Sequence, residues 1–142
     1  MPEVTFYVLR QEEDAARIHA LCRLVEKAWL QDLSVLILAE DILEAHRIDE
    51  ALWSFRPDSF VPHCLVDNLP TKIPPALISW LGQDCPDAQV WFNMAHSPCQ
   101  PGRRCQRLIQ FVAGSAEQRE IQRQQWRHYR DLGWSVNKIE LA

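Results

Sequence analysis

The chain has 142 residues, a length that suits one domain (residues 1–142) built around a single core. Hydrophobic residues make up 47% and charged residues 24%, with a net charge of -4, which is the balance of an ordinary globular protein rather than a disordered one. That acidic balance argues against non-specific nucleic-acid binding, which relies on Lys and Arg neutralising phosphates.

No Arg-led apolar run opens the sequence and no stretch has the apolar length of a bilayer span, so neither a secretory signal nor a membrane segment is expected. Cys22, Cys64, Cys85, Cys99 and Cys105 are odd in number and irregular in spacing. They suit reduced thiols better than a disulfide framework. Gly82, Gly102, Gly114 and Gly133 are scattered, whereas loops that cradle the phosphates of ATP or NAD need clustered glycines. No cofactor is expected.

In chain order, Thr5-Phe6-Tyr7-Val8-Leu9 reads as a first strand. From about Glu12 to Leu30, Ala16, Leu21, Leu24, Val25 and Ala28 recur at helical spacing and predict a long amphipathic helix. Ser34 to Ala39 is a continuous apolar run, the pattern of a parallel strand buried on both faces. Asp41 is placed to cap a second helix running to about Trp53, with Ala45, Ile48 and Leu52 as its buried stripe. Ser59-Phe60-Val61-Pro62-His63 predicts a short extended edge piece, because Pro62 cannot donate to a ladder. Asp67 to Pro75 reads as loop. Ala76 to Trp80, Gln89 to Met94 and Arg107 to Val112 are further strands, with an irregular loop from His96 to Arg104. Ser115 followed by Gln118 is a capping-box pattern that opens a last helix, and Gly133 ends it. Strands alternating with helices imply an α/β sandwich with a mostly parallel sheet and helices on both faces.

The last helix is the most informative segment. Arg119, Arg123, Trp126, Arg127 and Arg130 fall within about a quarter of its circumference, a basic stripe with an indole set into it. Ile121, Tyr129 and Leu132 share the opposite face and are expected to pack on the sheet. Glu117, Glu120 and Asp131 interrupt the helix but are not expected to pair along the stripe, and Trp126 is expected to be exposed. Arginine forks recognise carboxylates, and an aromatic beside them adds apolar area. This combination suits an acidic peptide with an apolar end better than duplex DNA. Single-stranded nucleic acid, whose bases stack on Trp, is the alternative.

Trp53 projects away from the buried stripe of the second helix. With Phe60 and Val61 close by in sequence, it predicts an exposed apolar patch of the kind that marks protein contacts. Other constellations are weaker. His96, Cys99, Cys105 and Cys85 match no strong zinc spacing. His63-Cys64 is no catalytic pair by adjacency alone, and Asp49-Glu50 and Glu12-Glu13-Asp14 diverge around a helix, so no acid–base dyad follows. A small enzyme on this fold would need a polar cluster at the C-terminal ends of the strands, where Asp41 is the nearest candidate and reads better as a cap.

Thr5 to Leu9, Ala39-Glu40-Asp41, Arg47 to Trp53, residues 59–63, Phe111-Val112, Arg123, Trp126, Tyr129-Arg130 and Gly133 together make the chain resemble the chi subunit of bacterial DNA polymerase III holoenzyme. The resemblance spans essentially the whole chain and is most specific from Asp49 to His63. It implies a Rossmann-like, non-catalytic, cytoplasmic accessory subunit of DNA replication. Such a subunit is a monomer that forms a 1:1 heterodimer with the psi subunit of the clamp loader. It also binds the acidic C-terminal tail of single-stranded-DNA-binding protein (SSB), which ends in Phe. The resemblance places the tail on Arg119, Arg123, Trp126, Arg127 and Val112, and psi on Trp53, Phe60 and Val61. Trp126 stands where the family often has Tyr, and Arg119 and Arg127 where it has Lys. No metal, membrane or sequence-specific nucleic acid is implied.

Overall fold

A computed structural model describes residues 2–58 and 60–141. Among them, β1 (Glu3–Leu9), β2 (Val35–Ala39), β3 (His63–Leu65), β4 (Ala76–Trp80), β5 (Val90–Asn93), β6 (Arg107–Val112) and β7 (Val136–Leu141) form one sheet in the order β3-β4-β2-β5-β6-β1-β7. Every pairing in it is parallel. The helices are α1 (Asp14–Leu30), α2 (Ile42–Ser54) and α3 (Ala116–Asp131), with a single 3-10 turn at Val66–Asn68.

Parallel strands need crossovers, and the crossovers cover both faces of the sheet. On one face, Leu21, Cys22 and Val25 of α1 and Ala45, Ile48 and Leu52 of α2 pack on Ile37, Ile78, Phe92 and Ile109. On the other, Tyr129 of α3 packs on Val4, Phe6 and Leu108. This is the open, Rossmann-like α/β sandwich expected from the alternation of strands and helices.

Local signals explain the element ends. Asp41 accepts the Glu44 backbone N–H at 2.8 Å and caps α2. Ser115 and Gln118 form the reciprocal box that opens α3. Gly114, at φ +91, has no room for a Cβ because the Gln118 amide lies over it. At the other end, Gly133 adopts φ +82, its N–H reaches the Arg130 carbonyl and that of Trp134 reaches Tyr129. This Schellman closure stacks Trp134 on Tyr129 with ring centroids 5.4 Å apart.

The structure corrects the sequence reading in places. β7 was not foreseen: its residues are mostly exposed, so no apolar run announces it. The edge strand beside Pro62 begins at His63, and Ser59, within the predicted extended piece, lies outside the described residues. Leu132 is 48% exposed rather than packed on the sheet. In its place Gln125 is buried, its amide joined to Gln110 in a ladder that continues to Asn93 and ends on the Ala95 carbonyl.

Candidate functional site

α3 runs back along the sheet, so its early residues overlie the C-terminal ends of the strands. β1 is flanked by β6 and β7, with Phe6 beside Gln110 and Lys138, and Val8 beside Val112 and Glu140. Side chains alternate along a strand, so all of these lie on the α3 face. Trp126 comes down onto this floor, its ring centroid 5.1 Å from that of Phe6. It is half-buried rather than exposed, and Val8 and Val112 are half-buried beside one another. The stripe therefore has an apolar floor.

The arginines divide into two kinds. Arg119 is half-buried, and its guanidinium donates to the Leu9 carbonyl at 2.7 Å and the Gly114 carbonyl at 3.0 Å. It ties the end of β1 to the start of α3. Arg130 is exposed one turn beyond Trp126, and Arg123 and Arg127 also project into solvent. Contrary to the expectation that the helix carboxylates would not pair along the stripe, Glu120 lies between them, 3.4 Å from Arg123 Nη1 and 3.5 Å from Arg127 Nη1. Lys138 escaped sequence reasoning. The alternation Lys138-Ile139-Glu140-Leu141 carried a short signal for it, since a strand there places Lys138 on the same face as Phe6.

A second cluster lies at the far end of α2. Trp53 is 61% and Phe60 41% exposed, and their rings sit 4.6 Å apart. Val61 is not part of the exposed surface: it is fully buried in the core. His63 meets both rings, edge-on to Trp53 at 5.4 Å and tilted to Phe60 at 5.6 Å. Its Nδ1 donates to the Val61 carbonyl at 2.7 Å. Its Nε2 lies 3.1 Å from Asp49 Oδ1, without the alignment of a hydrogen bond. With both ring nitrogens facing fixed groups, His63 holds the platform together and is not poised as a base for Cys64.

The crevice at the C-terminal ends of β5 and β6, where α1 and α3 leave on opposite faces, is where ligands of open α/β sheets bind. Here it measures about 70 Å³, well below a typical small-molecule site of ~300 Å³ or more. Its deep polar side chains, Asn93, Gln110 and Gln125, hydrogen-bond one another. Asp41 is occupied by its capping bond.

Among the described residues no group of three His, Cys, Asp or Glu side chains is placed to hold a metal, and no helix is long and apolar enough to cross a membrane. The cysteines are free. Burial pushes the Cys22 and Cys99 thiols up to about 12 and Cys105 up to about 11. Thiols held neutral in this way make poor nucleophiles.

Residues 1–137 match the family described as DNA polymerase III chi subunit, HolC. A DNA polymerase III subunit chi from Pseudomonas aeruginosa is 30% identical over 99% of this chain and 98% of its own length. Those from Escherichia coli and Haemophilus influenzae are each 27% identical, covering 96% and 93% of this chain and 97% and 92% of their own.

Proposed function

Because this chain belongs to the DNA polymerase III chi subunit family, an accessory and non-catalytic subunit of DNA replication, we propose that it works as a single-domain adaptor with two separate docking surfaces. One takes the acidic C-terminal tail of SSB. The other takes the psi subunit in a 1:1 heterodimer and so links the clamp loader to SSB in the cytoplasm.

The observation that carries the reading is the composition of the α3 flank. Solvent-facing guanidinium groups, Arg123 and Arg127 among them, and a lysine border an apolar floor of Trp126, Val8 and Val112. Carboxylates of the tail pair with Arg123, Arg127 and Lys138, and the terminal Phe rests against Trp126 and Val112. Arg119 contributes charge and holds the helix in place. Electrostatic attraction makes such association fast and salt-sensitive. A single tail binds modestly, and several tails on one SSB oligomer raise the avidity. On the second surface, the Trp53–Phe60 pair offers exposed aromatic area, the residue type that dominates protein interfaces.

The test is a titration with a fluorescently labelled SSB tail peptide, beside a control peptide lacking the terminal Phe. Binding should need the Phe and weaken with salt. Arg123→Ala should cost about 1–3 kcal/mol, the worth of a charge-assisted contact. Unchanged affinity in that variant would remove α3 as the site. For psi, co-elution should be lost in Trp53→Ala while tail binding persists.

A further inference from the structure

Glu120 is the residue of the α3 flank that tail recognition leaves unexplained, because a carboxylate in the middle of an acceptor for carboxylates works against it. We propose that Glu120 is an internal stand-in for the ligand. It occupies the seat between Arg123 and Arg127 in the free protein and is displaced when an acidic peptide docks, so it sets the affinity of the site. This rests on the reading of α3 as a docking surface for an acidic tail.

The geometry is that of a bridging carboxylate. Glu120 Oε2 faces Arg123 Nη1 at 3.4 Å and Oε1 faces Arg127 Nη1 at 3.5 Å, one oxygen for each guanidinium. Arg119 is committed to the Leu9 and Gly114 carbonyls; of the solvent-facing guanidinium groups beside Trp126, Arg123 and Arg127 hold the same internal anion, whereas Arg130 is exposed one turn further along.

The contacts are also easily broken. They are longer than the ~2.8 Å of a good charge-assisted bond, and the three side chains are 48%, 60% and 63% exposed. Exposed pairs of this kind are worth little, and an incoming carboxylate can replace them. Once displaced, Glu120 remains as a like charge beside an acidic ligand.

The experiment titrates wild type, Glu120→Gln, Glu117→Gln and Arg123→Ala with the same acidic, Phe-ended peptide. Glu120→Gln should bind about two- to fivefold more tightly, the fold-change that corresponds to an exposed ion pair. The gain should fade in about 0.5 M salt. Glu117→Gln changes the net charge equally but projects about 130° from the centre of the stripe, and should gain much less.

Equal or weaker binding by Glu120→Gln, with wild type still binding, would show that Glu120 orients the arginines rather than competing for them. An equal gain in Glu117→Gln would reduce the effect to overall charge. Both results overturn the proposal while leaving tail binding intact. Absence of wild-type binding, with Arg123→Ala no different, would instead overturn the docking reading and this proposal with it.

Discussion

Arg119 and Arg123 stand one turn apart on α3 and look equivalent in sequence, yet the structure predicts opposite phenotypes. Arg119→Ala removes two charge-assisted hydrogen bonds, to Leu9 at 2.7 Å and Gly114 at 3.0 Å. Each such bond contributes about 1.5–3 kcal/mol when well shielded. The side chain is only half-buried and both carbonyls can regain water, so the combined loss should be about 1.5–3 kcal/mol. For a chain of this size 1 kcal/mol moves Tm by roughly 3–5 °C, so Tm should fall by roughly 5–15 °C. Arg123→Ala loses an exposed contact to Glu120 and should stay within about 0.5 kcal/mol of wild type. Urea and thermal denaturation of the two variants, followed by circular dichroism, measures this directly. Peptide titration well below both midpoints completes the comparison. An Arg119→Ala protein as stable as wild type, yet as deficient in tail binding as Arg123→Ala, would refute the assignment of Arg119 to the scaffold.

Other consequences follow from groups inside the fold. Tyr129→Phe should cost about 1–2 kcal/mol in urea denaturation, because the hydroxyl that accepts the Cys99 backbone N–H at 2.9 Å is lost while the stack on Trp134 remains. Gln125→Leu should cost about 2–4 kcal/mol, since the Gln110 amide and the Ala95 carbonyl both lose a partner in a buried ladder. The double variant Gln110→Leu/Gln125→Leu should recover part of that loss. The folded thiols of Cys22, Cys99 and Cys105 ionise near 12, 12 and 11, whereas an unfolded thiol ionises near 9. As pH rises past about 9 the unfolded chain sheds these protons first, so stability should decline progressively toward pH 12. Replacing Cys22 with Ala should flatten part of that decline. At pH 8, Cys85 should react with a thiol reagent well before Cys22 or Cys99.

The legibility of the fold followed from burial. Residues 35–39 and 76–80 are buried throughout, so their apolar runs announced them as strands, the first as a parallel strand buried on both faces. The Asp41 cap, the Ser115–Gln118 box and Gly133 marked helix ends because each satisfies or terminates a local backbone pattern that needs no distant partner. β7 was missed for the converse reason. It is an edge strand with little buried surface, and only its pairing with β1 defines it. The site was half legible. The 100° step of a helix is a local property, so the basic stripe and the outward turn of Trp53 were readable in advance.

What the sequence determined by itself was therefore the alternation of elements, the helix caps and the angular placement of charge on α3, all set within a few residues of chain. What tertiary structure decided was how those charges are used. Folding α3 back over β1 brings Arg119 to the Leu9 carbonyl, lays Trp126 on Phe6 and adds Lys138 from a strand that follows the helix. Phe6 and Trp126 are far apart in sequence, and no local periodicity encodes their contact. The same limit explains why Val61 looked like surface and proved to be core: its place depends on which strands close over it.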